Sequence, residues 1–116
     1  MKRNNTKIQV LVLSVIASQD VEAHRAIDQD GSYTALGGSS FGVSDTRAYA
    51  GDQLALDVLG TSILEAGAAI TKGDLLQVGA NGKYVTKTTG QTVARAMADA
   101  AADGSVFEAL LLPARA

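Results

Sequence analysis

The chain has 116 residues, a net charge of −2, no cysteine and a single histidine. That length suits one domain with a core of its own, while the cysteine count excludes disulfides, thiolate metal sites and cysteine catalysis, and one histidine excludes a histidine-rich zinc site. The slight acidity leaves no positive field to hold nucleic acid, and Phe41, Phe107, Tyr33, Tyr49 and Tyr84 are not interleaved with basic residues as a nucleic-acid stacking surface requires.

Residues 1–7 form a polar arm carrying Lys2, Arg3 and Lys7. The apolar run Ile8-Gln9-Val10-Leu11-Val12-Leu13-Ser14-Val15-Ile16-Ala17 follows it. Basic residues before an apolar run resemble a secretion signal, but this run is short and broken by Gln9 and Ser14. It also falls well short of the roughly 20 residues of a membrane span, so no membrane partner is expected. An extended strand is the reading adopted.

His24 lies near Asp20, Glu22 and Asp28 in sequence, with Ser14 and Ser18 upstream. Nothing around these serines resembles a nucleophile elbow, so His24 reads as a structural hydrogen-bonder. Asp28-Gln29-Asp30-Gly31 opens like a calcium loop, yet the twelfth position from Asp28 is Ser39 where a bidentate Glu is needed. It reads as an acidic turn, and Asp30-Gly31 predicts a type I′ hairpin. Gly37-Gly38-Ser39-Ser40 is a flexible connection.

Leu54-Ala55-Leu56-Asp57-Val58-Leu59 alternates with period two, which predicts a half-buried strand with 54, 56 and 58 on one face. Gly79-Ala80-Asn81-Gly82-Lys83-Tyr84 superficially suggests a phosphate loop, but Gln77 and Tyr84 occupy positions where that motif needs Gly and Ser or Thr. Asn81-Gly82 instead predicts a second type I′ hairpin. Residues 94–102 have helix propensity; their place in the repeat described next favours strand. Met97 is assigned to the core. Asp45, Arg47, Arg95 and Asp99 occupy related places and are candidates to pair across a turn or an interface, or to be solvated loop charges. Val106-Phe107-Glu108-Ala109-Leu110-Leu111-Leu112 predicts a strand buried on both faces. No residue is assigned to catalysis, cofactor or metal.

The sequence repeats internally. Residues 26–34 read like 77–85, with Gly31 matching Gly82 and Tyr33 matching Tyr84 at a constant spacing of 51. Each half then has a spacer, a Gly turn (Gly51-Asp52, Asp103-Gly104) and a strand. The repeat covers approximately 26–59 and 77–111, joined at Gly60-Thr61-Ser62. The expected fold is all-β: a small β-sandwich or barrel of two similar halves, residues 8–116 as a single domain, with an extended N-terminal arm at 1–7.

Phe41-Gly42-Val43-Ser44 followed by Ala50-Gly51-Asp52-Gln53-Leu54-Ala55-Leu56-Asp57-Val58-Leu59-Gly60 resembles a segment of the tailed-phage capsid decoration, or cement, family. Glu65-Ala66-Gly67-Ala68-Ala69-Ile70-Thr71-Lys72-Gly73-Asp74-Leu75-Leu76 resembles a second segment of that family, and Asn81-Gly82-Lys83, Ala94-Arg95-Ala96 and 106–113 follow in the family's order. The resemblance covers 25–113. Ala102-Asp103-Gly104 departs from the family's more usual Ala-Gly-Asp or Ala-Gly-Glu, which alters a turn only. The resemblance implies a structural, non-enzymatic virion protein, made in the host cytoplasm and placed on the outer surface of the capsid. Its implied partners are the major capsid protein and itself, as a homotrimer ahead of a dimer. Lys2, Arg3 and Lys7 would then face acidic residues of the capsid protein or a neighbouring subunit, while Ile8, Val10 and Val12 add apolar or strand-pairing contacts.

Three rival readings remain. Ile70-Thr71-Lys72-Gly73-Asp74-Leu75-Leu76 also resembles the turn of biotinyl or lipoyl carrier domains, but Lys83 stands between Gly82 and Tyr84, and Lys87 between Thr86 and Thr88, unlike an attachment lysine in its hairpin. Another virion or tail component is a further alternative, as is a small hydrolase using His24.

Overall fold

Period-two patterning rather than helix propensity decides the backbone. In the computed structural model, which describes residues 7–115 and the side chains of 7–112, the strands are β1 (Gln9–Ile16), β2 (Ala26–Ile27), β3 (Gly42–Ser44), β4 (Gln53–Glu65), β5 (Leu75–Val78), β6 (Tyr84–Thr86), β7 (Thr92–Ala96) and β8 (Val106–Arg115). All their pairings are antiparallel.

Strand β4, at 13 residues, is the spine. Its first half carries β1 on one edge and β3 on the other; its second half, 61–65, pairs with β8. The order β2-β3-β4-β8-β7-β5-β6 then comes round on itself. Ala66, just past β4, bridges Tyr84 at the start of β6, and the Gly67 amide donates to the Tyr84 carbonyl at 2.8 Å. The all-β sheet is therefore nearly closed into a barrel.

One hydrogen-bonding scheme occurs twice. The Ala17 amide donates to Asp52 while Ala17 accepts from Gly51; the Ala66 amide donates to Ser105 while Ala66 accepts from Gly104. Val21 and Ala48 exchange a pair of bonds, as do Ile70 and Ala100. Strand β2 then pairs with β3 as β5 pairs with β7. Gly60-Thr61-Ser62 is not a linker. It lies inside β4, where Gly60 takes φ +97° and Thr61 and Ser62, both short, stay in the ladder.

Two apolar clusters fill the interior. One gathers Leu64, Leu76, Val78, Tyr84, Val93 and Phe107; the other holds Val21, Ile27, Leu54 and Leu56. A fully buried side chain such as Phe107 contributes about 2–3 kcal/mol of transfer free energy.

Some expectations for single segments are corrected and others hold. Along β8, Phe107, Ala109 and Leu111 are buried on one face, while on the other Val106 and Leu110 are exposed on either side of buried Glu108. Met97 is 39% exposed just beyond β7, where the chain leaves the sheet. Residues 94–102 supply the end of β7 and the Ala100 bridge to Ile70, and are not helical. Asn81 (φ +55°) and Gly82 (φ +73°) are the central residues of a type I′ turn closed by the Lys83 amide on Ala80. Gly31 (φ +84°) instead follows the turn: its amide donates to Asp28, and Asp30 does not take positive φ. That is the longer hairpin loop with a glycine at the left-handed position after the turn.

Candidate interaction surface

Strand β1 is apolar, uncharged and uncovered. Its residues are exposed throughout except for half-buried Val15. Ile8 is 59% exposed, Val10 69% and Ile16 54%, and Leu11, Val12 and Leu13 are exposed beside them. Alternation puts Val12, Ser14 and Ile16 on one face and Leu13 and Val15 on the other. Register shifts between Gln9 and Val12 place Val10 at a bulge, opposite a partner strand that itself bends at Gly60. Among the described residues only β4 pairs with β1, and the strand's other edge is open to them.

The strand is nevertheless firmly seated at its start. The Ile8 amide donates to Thr61 Oγ1 at 2.7 Å, and the Thr61 amide returns a bond to the Ile8 carbonyl at 2.9 Å. The Lys7 ammonium lies 2.9 Å from Asp57 and also pairs with Asp45. Asp57 is fully buried in β4, flanked across the ladder by Val12 and Val43. Its carboxylate also accepts from Gln9 Nε2, and from Ser62 Oγ at 2.7 Å. Burial alone would raise the Asp57 carboxyl; the bonds from Lys7, Ser62 and Gln9 and the Lys7 charge outweigh it and hold the group below its ordinary range. Burial likewise pulls the Lys7 ammonium down, and the two carboxylates more than reverse that, so it stays protonated above its ordinary range.

The expected contact residues therefore divide. Ile8, Val10 and Val12 stand exposed on one strand, Lys7 is engaged within its own chain, and Lys2 and Arg3 lie outside the described residues. Leu11, Leu13 and Ile16 belong to the same surface and were missed. Their signal was the uncharged apolar run, which only looks like a surface once most of its side chains are seen to lack cover.

Other motifs resolve into structure. His24 Nδ1 lies 3.1 Å from the Ile63 carbonyl, and the residue sits at φ +69°. Asp28 accepts from Thr34 Oγ1 at 2.9 Å, and Asp30 accepts from both the amide and hydroxyl of Ser32. Lys83 is paired with Asp103 and Glu65. Asp45 goes to Lys7, Arg47 to Glu22, and Asp99 accepts from the Lys72 amide. Among the described residues no group of three or more His, Asp or Glu could hold a metal ion.

Comparison with known families decides the kinship, since the description of phage cement proteins matches residues 6–111. The chain belongs to the phage cement protein family. That family is one of structural, head-associated virion proteins. This cement protein also resembles the solved head fiber gp8.5 N base of bacteriophage phi29, with a TM-score of 0.73 and 20% identity over 91% of this chain and 97% of the other. At that identity the likeness speaks for the fold. No curated protein matches. As a cement protein, the chain offers β1 as its most conspicuous surface: uncharged, apolar, open along one edge and pinned at its start.

Proposed function

We propose that this cement protein binds the outer surface of a tailed-phage capsid and ties neighbouring major capsid protein subunits together, working as a homo-oligomer, a trimer ahead of a dimer. The observation that carries the reading is β1: an exposed apolar strand immediately after a basic arm, in a chain of the cement family. Residues 2–6, with Lys2 and Arg3, meet acidic groups on the capsid protein or a neighbouring subunit, and Ile8, Val10 and Val12 add apolar or strand-pairing contacts between such neighbours. Lys7 serves this by fixing where the arm leaves the barrel. A subunit this small offers a modest footprint, and interfaces under about 1,200 Å² tend to be weak. Oligomerisation offsets that, because once one subunit docks the others bind at high effective concentration. The phi29 neighbour is the base of a head fiber, which is compatible with attachment to a head.

The test is decoration of particles lacking this protein. Full-length protein is expected to bind them; protein lacking residues 2–6 should keep its circular dichroism spectrum yet be lost from particles, more readily as salt rises. Equal decoration by both proteins in low and high salt would remove the arm from the account.

A further inference from the structure

The structure assigns β1 a specific occupant: we infer that a second copy of this chain covers it. This deepens the cement reading by separating the two jobs, self-association through β1 and capsid attachment through other surfaces.

Charge depletion is the first argument. From Ile8 to Ala17 the chain carries no ionisable side chain. The fully buried core of an interface and the contacts of homodimers are depleted in charge, whereas surfaces that meet a partner only transiently stay polar. Patch continuity is the second. Ile8, Val10, Leu11, Val12, Leu13 and Ile16 are exposed by between 37% and 69%. They run without a charge along the faces, the bulge and the open edge of one strand, and exposed apolar surface that is contiguous in this way is often functional. Leu59, paired with Leu11 across the ladder, extends it onto β4. A standard interface takes about 800 Å² from each partner, so β1 supplies the apolar core of one and its neighbours the rim.

Topology is the third. An open edge that is apolar on both faces is a template for unwanted pairing, and soluble proteins keep such edges covered. A capsid protein covers β1 only once a shell is available. A second copy is present from the moment the chain folds. The pinning of β1 by Lys7, Gln9 and Ile8 then makes sense as preorganisation, since a strand already fixed to β4 loses little freedom when a copy docks on it.

Light scattering and sedimentation of the full-length protein, with no capsid present, test this directly. A homo-oligomer is expected at micromolar concentration. Val12→Lys and Ile16→Lys should each convert it to monomer with unchanged circular dichroism, while Leu36→Lys, at a 72% exposed position on another loop, should leave the oligomer intact. Because the chain has no cysteine, Val12→Cys gives a single thiol whose maleimide labelling should slow at least tenfold as concentration rises through assembly. A wild type that is monomeric throughout, or an oligomer indifferent to both lysines, overturns the inference. If monomeric protein still decorates particles and Val12→Lys abolishes that, β1 belongs to the capsid: the inference falls and the cement reading stands. If the protein assembles through β1 but never binds particles, the inference stands and the cement reading falls.

Discussion

Lys7 and Asp57 stand 50 residues apart in the chain and 2.9 Å apart in space, joining the start of β1 to the buried middle of β4. Asp57 has no exposed surface, so removing its cation leaves a buried charge whose remaining partners among the described residues are Ser62 and Gln9. Lys7→Met is therefore expected to destabilise the fold by about 2–3 kcal/mol in urea unfolding. Deleting residues 2–6, which spares Lys7, should shift the midpoint little. Equal midpoints for Lys7→Met and wild type would show that the pair contributes nothing.

The same pair sets an acid limit. The folded Asp57 carboxyl is depressed below its ordinary 3.8, so its stabilisation is present above that value and is lost as pH falls through the lower folded one. The Lys7 ammonium is raised above its ordinary 10.5, so its contribution is complete below 10.5 and is lost only at still higher pH. Stability measured against pH for wild type and Asp57→Asn should show a gap at pH 7 that closes as pH drops below 3.8. A gap that stays constant down to strong acid refutes the linkage.

Two glycines of similar backbone shape should differ sharply on substitution. Gly31 and Gly51 have φ of +84° and +93°. A Cβ at Gly51 meets nothing within 4 Å, whereas one at Gly31 overlaps the Ile16 carbonyl oxygen and comes within 2.9 Å of the Ser18 nitrogen. Gly51→Ala should cost about 1 kcal/mol for the left-handed conformation alone. Gly31→Ala should cost clearly more and disturb the end of β1. Similar costs by thermal unfolding would contradict the packing at Gly31.

Tyr84 is fully buried, and its hydroxyl, near Ser40, closes no hydrogen bond of ordinary geometry among the described residues. Burial first, with the nearby Asp57 charge as a lesser cause, pushes the phenol far above its usual range, against a lowering contribution from Ser40. Tyr84→Phe removes the unsatisfied group and keeps the ring. It should be neutral or stabilising, by up to about 1 kcal/mol in denaturant unfolding. A loss of more than that would mean the hydroxyl has a partner in solution.

What was legible in the sequence was local. Asn81-Gly82 announced its turn because two adjacent positions tolerate positive φ, and alternation from Leu54 onward marked the first half of β4. Asp57 was not legible as a buried group. Period two put it on the face opposite Leu54 and Leu56, and only the approach of β1 and β3 on either side, with Lys7 arriving from 50 residues away, encloses it. Met97 misled for the converse reason: an apolar residue was assigned to the core, yet β7 ends one residue earlier. Of the interaction surface, the basic arm and the apolar run could be read directly. That β1 is exposed along nearly its whole length, with only Val15 packing on the core, could not, because cover is supplied by distant strands.

The continuity of β4 has a mechanical consequence. Antiparallel ladder bonds lie across their strands, so a pull along β1 strains all of its bonds to β4 together, whereas peeling from one end opens them in turn. Tension taken up at 53–60 then passes through Gly60 along the covalent backbone into 61–65, and from there across a second ladder into β8. No loop intervenes to stretch. A protein gripped at β1 and at the far side of β8 would thus respond as a short, stiff tie between its two neighbours.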